Sequence, residues 1–252
     1  MITKFLGKMF SGRLFGPVQP KIIPAAVHGI NRNSISPCAM RTTQALQRQG
    51  HAAFVVGGAV RDLILGGKPK DFDIATDATP EEVRQIFRRS RIIGRRFRLV
   101  HVLCGPEMVE VSTFRGAHTP DESDGGVADE HGRILRDNVF GNQEQDATRR
   151  DFTLNALFYD PATQEVWDYH GGVADLKKRR LRLIGDPERR YREDPIRMLR
   201  AVRFAASRGI EIDAATRRPI RRLAGLLAHV PPSRLLDEML KLAKGAEPDR
   251  AL

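Results

Sequence analysis

Two aspartates stand one residue apart in the short apolar stretch KPKDFDIATD, residues 68–77. In an extended strand successive side chains alternate between faces, so Asp71 and Asp73 share one face while Phe72 and Ile74 occupy the other. Two carboxylates on one face repel each other unless a cation lies between them, and Mg²⁺ prefers oxygen ligands of this kind. The pattern therefore predicts either a solvated turn, which aspartate also favours, or one side of a magnesium site.

A pair of glycines shortly before the aspartates points to a phosphate ligand. Gly57 and Gly58 follow the apolar run AAFVV, which predicts a buried strand, and open AVRDLILGG, which predicts a short helix. Glycines at such a junction let backbone N–H groups approach a phosphate, and the start of a helix favours negative charge. With Arg61 one helical turn further on, the spacing predicts a triphosphate cradle beside two metal-binding carboxylates.

A third carboxylate is expected, because two ions that clamp a phosphoryl transfer need more oxygen ligands than two aspartates supply. Glu110 is one candidate, since it lies on a strand of the predicted hairpin RLVHVLCG–EMVEVSTFR. Asp151, which follows Arg149 and Arg150, is the other. Each also has an ordinary structural interpretation, as a solvated strand residue and as a helix-start ion pair respectively.

Positive charge is concentrated in two regions of this 252-residue chain, whose formal net charge is +11. Residues 177–234 hold 17 Lys and Arg against 6 Asp and Glu, and the first 61 residues hold 8 basic residues and no acidic one. This asymmetry favours a polyanionic partner, most simply nucleic acid. No apolar run is long enough to cross a bilayer. Cys38 and Cys104 are too few for a disulfide framework and lack metal-ligand spacing, so we expect a reducing compartment.

The elements that must position these residues fall into three regions. Residues 1–23 predict a disordered basic tail with at most weak contact to a membrane surface, and 24–175 predict an α/β head with a small mixed sheet. Residues 176–252 predict an all-α extension. The predicted helices include 36–50, one that runs from a capping box at Thr79 to about Arg91, 146–160, one that ends at Gly209, and 231–245. Residues 116–132 predict a mobile surface loop.

Three motifs, in this order along the chain, resemble the signatures of one enzyme family. They are FVVGGAVRDLILGGKPKDFDIAT, RRDFTLNAL and GDPERRYREDPIRMLRAVRFAA. The family is the class II nucleotidyltransferases of the polymerase-beta superfamily, which contains bacterial poly(A) polymerases and tRNA CCA-adding enzymes. The resemblance covers about residues 40–240 and implies a polymerase-beta-like head followed by a helical neck. Members of the family continue beyond the length of this chain, so we expect the helical part to be incomplete at its C-terminal end.

The resemblance implies roles for the residues around the paired aspartates. Asp71 and Asp73 would hold two Mg²⁺ ions, and Gly57, Gly58 and Arg61 would hold the triphosphate of ATP. Asp151 matches the aspartate of the family's RRD motif, which is tied to the active site and to the nucleotide sugar.

The third motif implies residues that read the nucleotide base. Asp194 accepts hydrogen bonds and Arg197 donates them, and their i,i+3 spacing would place both on one helix face. Arg200, three residues further on, would stack on the base or pair with it.

The stretch IIGRRFRLVHV, residues 92–102, resembles the poly(A) polymerase form of the family more than the CCA-adding form. Arg95, Arg96 and Arg98 would place three cations where an RNA primer or a triphosphate lies. The expected activity is template-independent addition of AMP from ATP to RNA 3′ ends, as an RNA-processing enzyme of the bacterial cytoplasm. CCA addition to tRNA, a non-catalytic RNA-binding module and, more remotely, nucleotidyl transfer to small molecules are the alternatives.

Overall fold

The computed structural model describes residues 18–94, 98–116, 127–128, 134–136 and 139–244. Its first part contains the elements β1 Lys21–Ile23, α1 Ala25–His28, α2 Pro37–Arg48, β2 Ala53–Val56, α3 Gly58–Ile64, β3 Asp73–Thr76, α4 Pro80–Ile86, β4 Ser90–Ile93, β5 Leu99–Cys104 and β6 Glu107–Thr113. The elements that follow are β7 Val127–Ala128, β8 Ile134–Arg136, α5 Gln143–Arg149, β9 Leu157–Asp160, β10 Glu165–Asp168, α6 Gly172–Lys177, β11 Arg180–Leu181, α7 Pro187–Glu193, α8 Ile196–Arg208, β12 Glu211–Ile212, α9 Ala214–Arg217, α10 Ile220–Leu223 and α11 Pro232–Ala243.

One mixed sheet forms the head, with the strand order β1-β10-β9-β2-β3-β6-β5-β4. Its only parallel pair among the described strands is β3 with β6, and β5 and β6 form the predicted hairpin. One face of the sheet packs a large apolar core against α2 and α4. The other face carries a smaller aromatic cluster around Phe54, Phe114 and Phe158. The predicted α/β head with a small mixed sheet is confirmed.

Local signals fixed several helix boundaries correctly. The Ser36 hydroxyl accepts a hydrogen bond from the Ala39 N–H and caps α2 at the predicted position. Thr79 and Glu82 form the reciprocal capping box at the start of α4. Gly209 ends α8 in the left-handed conformation, with φ of 57°. These signals work because each satisfies backbone groups that a helix end leaves unpaired.

Two predicted helices were too long. The helix from residue 79 ends at Ile86, because Ser90–Ile93 forms the edge strand β4. The helix predicted over 146–160 ends at Arg149, and Leu157–Asp160 forms β9 between β2 and β10. A fully buried apolar segment has no face exposed to water, so its hydrophobic pattern does not separate a strand from a helix.

Other boundaries also differ from the prediction. The tail expected over residues 1–23 reaches the sheet, because Lys21–Ile23 pairs with β10 as strand β1, whereas residues 1–17 lie outside the described part. Helix α6 crosses the boundary expected at 175 and 176. The region beyond it is helical apart from the short parallel pair of β11 and β12. Most of the predicted 116–132 loop lies outside the described residues, and Val127–Ala128 pairs with β8.

The two cysteines, which the sequence analysis judged too few for a disulfide framework, are bonded to each other. The disulfide between Cys38 and Cys104 links α2 to the end of β5 across 66 residues of sequence. Two cysteines so far apart in sequence give no local signal of pairing. Their contact follows from the packing of α2 on the sheet. No described helix is long and apolar enough to cross a membrane.

Candidate active site

Strand register brings two of the predicted carboxylates together. Asp73 opens β3 and is the direct neighbour of Glu110 in the parallel strand β6. Asp71 lies two residues before Asp73, and both are exposed, while Phe72 and Ile74 between and beyond them are buried. The alternation predicted from the sequence is therefore present. Register adds Glu110 to the same face, since directly opposed residues on paired strands share a face.

The neighbouring carboxylates raise the proton affinity of Asp73. The pKa of Asp73 rises from 3.8 to about 6, chiefly because the surrounding protein removes water from around the carboxylate, and then through the negative charges of Glu110 and Asp71. Arg150 opposes this shift. Carboxylates held this close repel one another, and a bound hard cation relieves the repulsion. Such a cluster is therefore typical of a site for a hard cation.

The described residues contain no group of three or more His, Cys, Asp or Glu side chains arranged to hold a metal ion. The Glu110 carboxylate lies 3.4 Å from the Nε2 atom of His101, its partner in β5. One of its oxygens is therefore within reach of a weak hydrogen bond. The chemistry of the set nevertheless fits Mg²⁺, because Asp71, Asp73 and Glu110 offer only oxygen donors and lack a neutralising partner among themselves. Glu110 is the better placed of the two candidates for a third ligand.

The glycine pair forms the expected turn from strand into helix. Gly57 has φ of 70° and ψ of −130°, a combination that side chains disfavour, and Gly58 begins α3. A Cβ atom on Gly57 would lie 3.4 Å from a guanidinium nitrogen of Arg150, and one on Gly58 would lie 3.4 Å from a nitrogen of Arg61. Both glycines thus leave room beside a cation, which suits close approach of a phosphate.

Arg61 is less accessible than the sequence suggested. Its side chain is buried and donates hydrogen bonds to Asp62, at 2.9 Å, and to the side-chain oxygen of Asn155, at 2.7 Å. Asp62 also accepts a hydrogen bond from Arg208 on α8, at 3.0 Å. Asp62 therefore joins the head to the helical region, and Arg61 supplies positive charge from beneath the glycine turn.

Arg150 is a cation of the site that the sequence analysis did not select. It donates hydrogen bonds to the buried carboxylate of Asp146, at 2.9 and 3.1 Å, and to the backbone carbonyl of Asn155, at 3.3 Å. It flanks Gly57 and lowers the pKa of Asp73. The RRD motif drew attention to this position, but the motif alone does not show which of its charged residues faces the aspartates.

Asp151 is held by several partners. One carboxylate oxygen accepts from the Phe152 N–H at 2.7 Å and from the Asn155 amide at 3.1 Å, and the other accepts from Arg200 at 2.8 Å. Burial alone would raise its pKa, but Arg200 and these hydrogen bonds outweigh burial and hold the pKa below its usual range. Asp151 and Arg200 thus form a partly buried ion pair between the head and α8.

The predicted base-reading pair does not share a helix face. Helix α7 ends at Glu193, and Asp194 has an extended backbone with φ of −150° and ψ of 96° before Pro195. Proline disfavours the helical conformation in the residue before it, which the i,i+3 argument overlooked. The Asp194 carboxylate accepts two hydrogen bonds from Arg234 of α11, at 3.1 and 2.9 Å.

Arg197 turns away from Asp194. It donates to the backbone carbonyl of Arg190 at 2.7 Å and to Glu193 at 3.2 Å. Of the three cations predicted near the primer, Arg98 pairs with Glu81, whereas Arg95 and Arg96 lie outside the described residues.

A mixed sheet that holds two aspartates beside a glycine turn, followed by a helical region, defines a polymerase-beta-like nucleotidyltransferase. A solved structure of similar fold is the CCA-adding enzyme of Bacillus stearothermophilus in complex with CTP, with a TM-score of 0.74 and 36% identity over 86% of this chain and 51% of that one.

The chain belongs to the poly(A) polymerase head-domain family, whose model matches residues 53–182. A second model, described as the "probable RNA and SrmB- binding site of polymerase A", matches residues 209–252. Poly(A) polymerase I of Escherichia coli is 55% identical over 89% of this chain and 49% of its own length. The CCA-adding enzyme of Lactobacillus helveticus is 39% identical over 82% of this chain and 50% of its own length. The chain thus spans about half the length of the curated relatives it matches.

Proposed function

We propose that this chain transfers AMP from ATP to the 3′-hydroxyl of RNA without a template and releases pyrophosphate, in a bacterial cytoplasm. The observation that carries the proposal is the in-register pair Asp73 and Glu110 beside Asp71, in a head that belongs to the poly(A) polymerase family. In this reaction the 3′-oxygen of RNA bonds to the α-phosphorus of ATP. The bond from that phosphorus to the pyrophosphate breaks, and the hydroxyl proton passes to solvent.

Asp71 and Asp73 would hold Mg²⁺ at this site, with Glu110 as the third ligand. When bound, a pair of Mg²⁺ ions supplies charge neutralisation on the triphosphate and a lower pKa for the attacking hydroxyl. The carboxylates themselves act as ionised acceptors, so no histidine base is needed. Their unliganded repulsion, expressed in the raised pKa of Asp73, is the property that favours the cation.

The glycine turn would hold the triphosphate of ATP. Gly57 and Gly58 offer an approach without side chains, and Arg61 and Arg150 supply positive charge on its two sides. Both arginines are fixed by hydrogen bonds within the head, so they act mainly through their electrostatic field. A fixed field of this kind stabilises charge on the transferring group without reorganisation.

Base selection would depend on Asp194 and Arg197, as the family resemblance implies. For this role the Asp194 carboxylate has to exchange at least one hydrogen bond from Arg234 for one from the base. Arg200, which the resemblance also assigns to the base, is held by an ion pair with Asp151. Adenine offers a donor in its exocyclic amine and acceptors in its ring nitrogens, which suits an acceptor and a donor side by side.

CCA addition to tRNA is the second candidate, because a CCA-adding enzyme shares the fold at 36% identity. The poly(A) polymerases are closer in sequence, at 49 to 55% identity against 37 to 39% for the CCA-adding enzymes. A non-catalytic RNA-binding module is the alternative of a different class, since the chain spans only about half of its relatives.

The deciding experiment measures incorporation of each of the four labelled nucleotides with Mg²⁺. The acceptors are an unstructured RNA and a tRNA that lacks its CCA end. Extension of the unstructured RNA with ATP alone is expected. Addition of CTP and then ATP to the tRNA only would instead establish the CCA-adding activity.

Single substitutions Asp71→Ala and Asp73→Ala are expected to abolish incorporation and leave RNA binding nearly intact. Wild-type activity in either variant would refute the metal assignment. No incorporation by the wild-type chain, with RNA binding that still weakens with salt, would leave only the RNA-binding module.

A further inference from the structure

A basic cleft lies on the face of the sheet opposite the carboxylates. Its volume is about 460 Å³, and α2, the end of α4 and the end of β5 form its walls. His101 is paired with Glu110 on the carboxylate face, whereas the next residue of β5, Val102, lines the cleft. Leu103, which follows Val102 near the end of β5, also lines the cleft, but none of the candidate active-site residues does.

Four arginines line the cleft without a carboxylate partner. Each is exposed, and no side chain among them forms a hydrogen bond or an ion pair with a described residue: Arg41, Arg48, Arg88 and Arg89. Among the residues that the structure describes, none of those that line the cleft is acidic. Most arginines of the helical region, in contrast, are neutralised by internal ion pairs. A concave surface with four unpaired guanidinium groups attracts phosphate, which their planar donors bind in pairs.

A buried hydroxyl in the cleft wall also lacks a partner. Thr42 of α2 is 1% exposed, and its Oγ1 atom makes no hydrogen bond with any described residue. The neighbouring Thr43 satisfies its own hydroxyl by donating to the carbonyl of Ala39 at 2.8 Å. Since an unpaired buried hydroxyl is costly, a ligand that supplies its partner would be favoured.

The apolar part of the cleft fits a nucleobase. Phe87 and Ile86 are half-buried and lie beside the four arginines. Aromatic rings beside cations bind successive bases and phosphates of single-stranded nucleic acid with little regard to sequence. The cleft therefore offers contacts to both parts of a nucleotide unit.

The sheet connects this cleft to the carboxylates. Asp73, Glu110, His101 and Arg91 are direct neighbours across β3, β6, β5 and the edge strand β4. Arg88 and Arg89 immediately precede β4. A strand that leaves the carboxylates along this row crosses about 15 Å of sheet before it reaches the edge and the cleft.

We propose that this cleft, formed by Arg41, Arg48, Arg88, Arg89, Thr42 and Phe87, binds a single-stranded segment of RNA away from its reacting 3′ end. The choice of RNA as the source of the phosphates rests on the proposed function, whereas binding at the cleft does not depend on catalysis. The segment is held by its backbone phosphates and by stacking, so it is bound without sequence preference. Its contacts add affinity for longer RNA and leave the transfer step unchanged.

The test compares two adjacent charge-neutralising pairs. Arg88→Gln with Arg89→Gln alters the cleft, and Lys177→Gln with Lys178→Gln removes the same charge from exposed lysines of α6, away from the cleft. Binding of a labelled single-stranded oligoadenylate is measured over a range of salt concentrations, with AMP as a second probe. Circular dichroism and thermal unfolding verify that both double variants are folded.

The cleft variant is expected to bind oligoadenylate about tenfold more weakly, with a salt slope smaller by about 1.4, against less than about twofold for the lysine variant. Equal losses in both variants would indicate a general charge effect and overturn the proposal. Loss of AMP binding with unchanged oligoadenylate binding would assign the cleft to a free nucleotide and also overturn it.

Two further measurements separate the cleft from the active site. Transfer to a dinucleotide primer is expected to keep its kcat in the cleft variant, while the KM for long RNA rises. Absence of transfer in the wild type would refute the proposed function but not the cleft, whose binding is read independently. Thr42→Val is expected to weaken oligoadenylate binding about threefold without lowering Tm, since it removes an unpaired hydroxyl. A lower Tm with unchanged binding would overturn the role of Thr42.

Discussion

At the scale of single residues, Asp73 links stability to function. Its pKa of about 6 in the folded protein lies above the value of 3.8 expected in the unfolded chain. The folded state therefore binds more protons between these values, so stability falls as pH rises from about 4 to about 6 and is level above that. This loss of stability results from desolvation of the ionised Asp73 carboxylate and from its repulsion by Glu110 and Asp71.

Asp73→Asn is accordingly expected to raise the Tm of the metal-free protein at neutral pH, because it removes one of the repelling charges. The gain should shrink as pH falls through about 6 and vanish only below about pH 3, where the wild-type carboxyl is protonated in both states. Thermal unfolding across this pH range measures it. Added Mg²⁺ should raise the Tm of the wild type and not that of the variant. A variant that is less stable at neutral pH would contradict this account of Asp73.

Asp151 has the opposite behaviour, because its folded-state pKa is lowered and not raised. Its stabilising effect is present at neutral pH and is lost as pH falls below the ordinary aspartate pKa of about 4. We expect Asp151→Asn to lower the free energy of unfolding by about 3 kcal/mol, since it leaves the guanidinium of Arg200 without its main counter-charge.

A double-mutant cycle with Arg200→Gln tests this assignment. The double variant should lose less stability than the sum of the two single variants, because the two groups contact each other. Well below its Tm, Asp151→Asn should keep the Mg²⁺ affinity of the wild type. A large loss of that affinity would instead support the direct catalytic role implied by the family resemblance.

At the scale of elements, α11 is fastened to α8 by a buried charge cluster. Glu238 is 6% exposed and binds Arg203 at 2.6 Å and Arg200 at 3.4 Å. A further salt bridge joins Arg234 of α11 to Asp194, which lies in the bend between α7 and α8. The opposite face of α11 exposes Leu236, Met239 and Leu240. Charge pairs therefore help to hold this helix in place.

Glu238→Gln is expected to loosen α11 and lower the free energy of unfolding by about 2 kcal/mol, because it leaves two arginines beside a neutral group. Hydrogen exchange of the α11 amides should accelerate, while exchange in the sheet stays slow. Asp237→Asn is the matched control, since it removes a carboxylate from the exposed side of the same helix. Equal effects of the two substitutions would mean that the internal cluster does not hold α11.

At the scale of the whole molecule, the net charge overstates the surface available to RNA. Within residues 177–234, eleven arginines form salt bridges with carboxylates: Arg180, Arg182, Arg189, Arg190, Arg192, Arg197, Arg200, Arg203, Arg208, Arg222 and Arg234. Most arginines of the basic helical region are thus neutralised by carboxylates of the same chain. The unpaired arginines of the cleft lie in the head.

RNA binding should therefore depend on salt less steeply than the formal charge of +11 implies. If every net charge met a phosphate of a single strand, the slope of log K against log salt would be about −8. We expect a slope of magnitude below about 5, measured by fluorescence anisotropy with a labelled oligoadenylate. A slope near −8 would show that the internal ion pairs open when RNA binds.

The sequence by itself determined those features that depend on near neighbours. The alternation of Asp71, Phe72 and Asp73, the cap at Thr79 and the end of α8 at Gly209 are local, because each follows from backbone geometry within a few residues. The family and its fold class also followed from motifs in the sequence. The roles of the individual site residues stay predictions.

Only the tertiary structure decided which distant residues meet. It brought Glu110 beside Asp73 through strand register, and Arg150 beside Gly57 through the path of the chain after α5. It also placed Asp194 in a salt bridge with Arg234, whereas the sequence had predicted that Asp194 and Arg197 share a helix face. Register, ion pairing and the disulfide depend on how elements pack, and hydrophobic periodicity carries no record of which element lies opposite which.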